Sequence, residues 1–267
     1  MSTSPSLHIG DLMAAKQKRR ARTAGKPQRK GAARGGATQR EARRSHHSLS
    51  KRLKPQTQKR KVHSAKMLDI PSYAQSEEFT SAAACAMMAL KYLDRNFKMR
   101  RNTEYEIWRD AVSGSVWHGS RYGLAYALAK RNARPEIYSS VKDEGYEKKL
   151  AVYEGVNLST LKASFDEVRN KVRAMKIKEV YGDVTLNTLK KQLDNGKIPI
   201  VLIDANALNS YLDSFPHWVT VKGYDKDTMY INDPYSDSTI AIESEGLKAA
   251  LGYDNEYHMV CVNAKRR

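Results

Sequence analysis

Cysteine is scarce in this chain, with only Cys85 and Cys261 among 267 residues. Each lies in an apolar run, which predicts two buried thiols in a reducing, intracellular setting rather than a disulfide scaffold. No apolar run approaches the ~20 residues that span a bilayer, and no signal-peptide core is seen, so no membrane partner is expected. Residues 1–66 contain no aromatic side chain and only two acids, Asp11 and Glu41, against nineteen Lys and Arg. Such a stretch cannot bury enough surface to offset the entropy of ordering its backbone, so a disordered arm is expected there. The His46-His47 pair has no companion ligands at zinc spacing, and no metal or other cofactor is expected.

What the arm does hold is positive charge. It carries a net +17 of the chain's +18, leaving residues 67–267 close to neutral. Its basic blocks include Lys16, Lys18, Arg19, Arg20 and Arg22, then Arg29 and Lys30, Arg43 and Arg44, and Lys59, Arg60 and Lys61. Blocks of this kind neutralise phosphates and bind by counterion release, without reading sequence. Nucleic acid or another polyanion is therefore the expected partner of residues 1–66, within a larger assembly. A solubilising tail and a mitochondrial presequence are the competing readings of the same composition.

Residues 67–267 read as one domain. Ser81 to Leu90 is rich in Ala, Met and Leu, with Cys85, Met88, Ala89 and Tyr92 spaced as one apolar helical stripe. Thr103-Glu-Tyr-Glu106 reads as a capping box opening a second helix, and Tyr122 to Lys130 as a third. Pro135 to Tyr138 looks like a strand, residues 143–176 like one or two surface helices, and Leu186 to Leu193 like a short helix stopped near Gly196. Ile198 to Ile203 is apolar throughout, as in a buried strand. Two β-runs around Asp225-Lys-Asp227 form a hairpin signal, and a helix near 244–250 and a strand at 257–262 follow. Helices first and antiparallel strands last predict an α+β fold.

Three positions carry candidate chemistry. Ser81 falls at the N-cap or first turn of the central helix, beside unpaired N–H groups at its positive end. A nucleophile there has its own N–H ready to hold an oxyanion, although an ordinary capping serine sits in the same place. His217 opens one hairpin strand and Asp233 closes the other, so pairing sets the carboxylate where it can orient the imidazole. Gln75, six residues before Ser81, would add a side-chain oxyanion donor. Each residue has an ordinary structural reading, and the set together points to a nucleophile–His–Asp arrangement.

These residues, with Phe79-Thr80, Met88-Ala89, Glu104-Tyr-Glu-Ile107-Trp108-Arg109-Asp110-Ala111, Tyr122-Gly-Leu-Ala125, Pro216-His217-Trp218-Val219 and Asp233-Pro234, resemble a known family. It is that of the papain-fold cysteine peptidases of the C39-like kind, in particular the branch often fused to N-acetyltransferase domains. The resemblance runs in order over about 68–262 and implies a papain-like fold. Where that family has Cys-Gly-Pro-Ala, this chain has Ser81-Ala82-Ala83-Ala84, so the nucleophilic cysteine aligns with Ser81. A thiolate paired with His⁺ is lost, and the oxyanion backbone is altered with it. Cys85, one turn deeper on the apolar stripe, is expected to be buried away from substrate. The expectation is a catalytically silent homologue that binds peptide or serves as a structural component. The basic arm would hold it to nucleic acid or a nucleoprotein particle. The alternative is an active peptidase or amidohydrolase using Ser81, His217 and Asp233.

Overall fold

The strand that organises the sheet is written in Lys197–Asp204 (β4), whose residues from Ile198 to Ile203 are all buried. An unbroken apolar run of this kind fits a strand covered on both faces. The computed structural model describes residues 66–112 and 116–263. The chain divides into two units, Met1–Gln58 and Lys59–Arg267. Residues 1–65, with their basic blocks and the disorder expected of them, lie outside the described residues.

Among the described residues, eight strands form one sheet. Besides β4 they are Lys66–Met67 (β1), Pro135–Ser139 (β2), Lys178–Tyr181 (β3), Pro216–Tyr224 (β5), Thr228–Asp233 (β6), Ser238–Glu243 (β7) and His258–Asn263 (β8). Their order is β3-β2-β8-β4-β5-β6-β7, with β1 added to β5. Pairing is antiparallel except between β2 and β3, which run parallel. Helices dominate the first half and antiparallel strands the second, as expected, with β2 and β3 joining that sheet from among the helices. A crossover between parallel strands requires intervening chain. The α+β class stands.

The central helix is Ser81–Leu93 (α1), and Ser81 to Leu90 are buried without a break. The expected single stripe is thus too narrow, because a helix buried all round sits inside the core rather than on its surface. Five alanines let its neighbours approach closely, while Met87, Met88 and Leu90 each contribute about 1.5–3 kcal/mol of burial. The helices Arg101–Ala111 (α2) and Arg121–Lys130 (α3) pack beside it. Gly123 makes the α2–α3 contact fit, since a Cβ there would stand 1.9 Å from the Ala111 carbonyl oxygen.

The capping box expected at Thr103–Glu106 does not form. α2 begins three residues earlier, its N-cap Arg100 makes no side-chain cap, and Glu104 turns inward. The buried Glu104 carboxylate accepts hydrogen bonds from the Ser76 N–H (2.8 Å), the Ser76 hydroxyl (2.6 Å) and the Tyr73 hydroxyl (3.1 Å). Residues 143–176 form two helices, Tyr146–Glu154 (α4) and Leu158–Ala174 (α5). Leu186–Asp194 (α6), Ala205–Leu208 (α7) and Ser244–Ala250 (α8) complete the set. No helix among the described residues is long and apolar enough to cross a membrane.

The lead-in segment 66–71 is stitched across the sheet. Lys66 and Met67 pair with Tyr224 and Gly223, and a Cβ on Gly223 would lie 2.3 Å from the Lys66 carbonyl oxygen. Buried Asn232 donates from Nδ2 to the carbonyls of Ile70 and Pro71, both at 3.0 Å. Its Oδ1 accepts from the Thr239 hydroxyl.

Candidate active site

α1 presents its first residue to strand β5. Thr80 is the N-cap but makes no side-chain bond to the helix; its hydroxyl donates to the Glu77 carbonyl. Ser81 is therefore in the first turn without acting as the cap, and it is 3 % exposed. Its Oγ accepts a hydrogen bond from the Trp218 N–H at 3.3 Å. One turn on, the Cys85 thiol donates to the Trp218 carbonyl at 3.2 Å. The β5–β6 ladder begins at Thr220, two residues further along, and does not reach Trp218. Ser81 and Cys85 thus take the place of a neighbouring strand, satisfying both backbone groups of Trp218.

The hairpin brings the next pair together. Register Thr220↔Asn232 sets Asp233 close to His217, and His217 Nε2 lies 2.8 Å from Asp233 Oδ1. The same carboxylate oxygen accepts from the Tyr235 N–H at 2.9 Å. Burial alone would raise the Asp233 pKa. The imidazole's hydrogen bond and charge, with the Tyr235 N–H, outweigh it and hold the carboxyl below the usual range. His217 is 2 % exposed, and its Nδ1 is buried without a hydrogen-bond partner. Ser81 therefore lies against the peptide joining His217 to Trp218, yet no hydrogen bond links its hydroxyl to the free ring nitrogen.

Gln75 is held nearby by its backbone, whose N–H donates to the Pro234 carbonyl at 2.9 Å. Its side chain is turned into its own loop. Nε2 donates to the carbonyls of Glu77 (2.9 Å) and Glu78 (3.2 Å), and Oε1 is buried without a partner. An amide has two donor hydrogens, and here both are occupied. The backbone beyond Ser81 is also filled: a Cβ on Gly119 would meet the Ala82 Cβ at 2.4 Å. Gly119 in turn accepts from Trp218 Nε1 (2.9 Å) and the Tyr146 hydroxyl (3.0 Å) through its carbonyl.

Cys85 offers no substitute nucleophile. It is fully buried, and burial pushes its thiol well above the ordinary range, so no thiolate is available at neutral pH. Both cysteines are buried free thiols. His217 and Asp233 are bonded to each other, Ser81 is bonded to the Trp218 N–H next to His217, and Gln75 is tied by its backbone to Pro234 next to Asp233, whereas the basic blocks of residues 1–65 lie outside the described residues. Among the described residues there is no cluster of three or more potential metal ligands.

Sequence reasoning missed three contributors. Cys85 as a partner for the Trp218 carbonyl was legible in its i+4 spacing from Ser81. Glu104, which pins the loop before Ser81, and Gly119, which leaves room for Ala82, gave no local signal.

Among curated proteins, none matches this chain. A solved structure described as a C39-like peptidase from Bacillus anthracis is similar at 12% identity with a TM-score of 0.44, covering 74% of this chain and 96% of that one. The model of DUF3335, a Peptidase_C39 like family, matches residues 70–252, a span holding Gln75, Ser81, His217 and Asp233. By that match the chain belongs to the Peptidase_C39-like family.

Proposed function

We propose that this protein is a catalytically silent C39-like homologue that binds peptide in the groove beside Ser81 or serves as a structural component. Its basic N-terminal residues hold it to nucleic acid or a nucleoprotein assembly. The observation that carries the first part is the missing link between Ser81 and His217. A serine nucleophile is a neutral hydroxyl that needs a general base in hydrogen-bond reach as it attacks. Here the Ser81 oxygen is bonded to the Trp218 N–H while His217 Nδ1 has no partner. Gln75 adds to this, because both its amide hydrogens are engaged by Glu77 and Glu78. Losing one oxyanion donor alone costs ~10²–10³ in rate.

One observation favours the alternative, an active hydrolase: the His217–Asp233 pair is intact at 2.8 Å and Ser81 stands in the first turn of α1. Fluorophosphonate labelling separates the two readings. We expect no labelling of Ser81 and no turnover of peptides or activated esters. Labelling that disappears in both Ser81→Ala and His217→Ala would establish the active enzyme instead.

For the arm, binding of duplex DNA or RNA by the full chain is expected to fall steeply with salt, with little sequence preference. Replacing Lys16, Lys18, Arg19, Arg20 and Arg22 by Gln lowers affinity and flattens that slope. An unchanged slope refutes the assignment.

A further inference from the structure

The two edges of the sheet differ in character. β3 is four residues long, carries Lys178 and Glu179, and pairs in parallel with β2. Short, charged edges of this kind resist further pairing. β7, the other edge, is six residues long and reads Ser-Thr-Ile-Ala-Ile-Glu; among the described residues no strand pairs with its outer side. It contains no proline and no lysine, and its register with β6 runs unbroken from Asp233↔Ser238 to Thr228↔Glu243. The Ser244 N–H donates to the Asp227 carbonyl at 2.8 Å, one step beyond that register, which fixes the phase of the ladder. Hydrogen-bonded pairs alternate along an antiparallel ladder, so Ser238, Ile240 and Ile242 turn their backbone groups towards β6. Thr239, Ala241 and Glu243 therefore turn their N–H and carbonyl groups outward along the open edge.

We propose that this edge pairs with β7 of a second copy of the chain, antiparallel about a two-fold axis at Ala241. The segment is self-complementary in that register. Ala241 meets its own copy, Ile240 meets Ile242, and Thr239 meets Glu243, so no like charges stand opposite each other. Every outward-turned residue then falls in a hydrogen-bonded pair. Ile240 and Ile242, half-buried against the core, gain further cover from each other across the axis. The charges favour a copy over an unrelated strand. The Lys222 ammonium donates to the Thr239 hydroxyl (3.3 Å) and the Ile70 carbonyl (3.2 Å), neither of them a carboxylate. Glu243 is exposed and shares a face with Thr239, because residues two apart in a strand do. Opposite residues have Cβ atoms about 4.5–5.5 Å apart, which brings Glu243 of one copy beside Lys222 of the other, twice by symmetry. An unrelated extended peptide could use the backbone groups but has no reason to match both isoleucines and place a carboxylate at Lys222. The inference does not depend on whether Ser81 is catalytic.

Analytical ultracentrifugation of the nuclease-treated full chain tests this, with amide hydrogen exchange alongside. A single strand pair is a small interface, so we expect a reversible dimer with Kd of about 10–100 µM. Protection of the Thr239, Ala241 and Glu243 amides should rise with protein concentration, while the Ile240 and Ile242 amides stay protected throughout. Ala241→Pro removes an outward donor and leaves the β6 ladder intact, since proline is tolerated on an edge strand where its nitrogen faces solvent. It should weaken dimerisation at least about tenfold. Glu243→Lys should also weaken it, by setting like charges together, and adding Lys222→Glu should recover part of the loss. Circular dichroism confirms that the variants are folded, and the exchange measurement on the unaltered chain decides the matter if one is not. The assignment is overturned by a monomer persisting to about 500 µM, or by a dimer that Ala241→Pro or Glu243→Lys leaves unchanged. Protection of the three outward amides that does not vary with concentration overturns it too, because another segment or a bound peptide would then hold the edge.

Discussion

Two buried histidines on the same sheet make an instructive pair. His217 on β5 is bonded to Asp233 and neighbours Ser81. His258 on β8 lies 3.0 Å from the Ser139 hydroxyl through Nδ1 and 3.4 Å from Glu256 through Nε2. By residue types alone, the second set is as good a Ser–His–acid arrangement as the first. It is the better connected of the two, yet the Ser139 hydroxyl donates to the Val141 carbonyl at 2.6 Å and accepts from the Val141 N–H. Ser139 thus closes a turn, and the ring is enclosed by Tyr146, whose centroid is 5.7 Å away. Fully buried Arg121 and Glu147 lie close by. The lesson is that contact among serine, histidine and carboxylate does not define a site. A helix start with free backbone donors beside the serine has to accompany it, and only Ser81 has that setting.

The largest effect should come from the His258 side. Arg121 and Glu147 are both fully buried, 3.7 Å apart, with Arg121 also donating to the Asp143 carbonyl. Glu147→Gln keeps the shape but leaves the guanidinium without its counter-charge. We expect a loss of about 3–5 kcal/mol in urea unfolding. The matching change near His217, Ser81→Ala, strips the Trp218 N–H of its acceptor and should cost about 1–3 kcal/mol. If Ser81→Ala proves neutral, Ser81 has no structural role and the comparison tilts back towards catalysis.

Acid dependence distinguishes the two histidine sites more finely. Burial holds the His258 pKa below its ordinary 6.5, against the pull of Glu256. The folded protein therefore prefers neutral His258, the unfolded chain takes up the proton first, and stability falls as pH drops below 6.5. The slope from this one group is at most about 1.4 kcal/mol per pH unit. Asp233 acts in the same direction but in a more acidic window. Its lowered pKa contributes stability above the ordinary 3.8 that is lost as pH falls further, through the folded value. Unfolding midpoints measured between pH 7 and pH 3 should show the two phases in that order, and His258→Gln should remove the first while Asp233→Asn removes the second.

Much of this was legible in the sequence. Ala/Met/Leu runs fixed α1, continuous apolarity gave β4, and the hairpin signal around Asp225–Asp227 placed Asp233 beside His217. The failures have a common cause. β3 and β7 are half-buried edge strands without a strong apolar run, so their pairing is decided by partners distant in sequence. Glu104 looked like a residue just inside a capping box, but Ser76 and Tyr73, some thirty residues upstream, claim its carboxylate. Gln75 turns its amide back onto Glu77 and Glu78, a direction that local spacing could not reveal.

The stitching of residues 66–71 has a mechanical consequence. The chain enters the domain at the Gly223 end of β5, six residues and so roughly 20 Å along the strand from His217. A load pulling on the N-terminal residues is met first by a two-residue zipper and then by the Asn232 clamp on Ile70 and Pro71. Those fasteners would open one after another before any force reached α1. Ser81 is thus buffered from tension applied to the chain at residue 66.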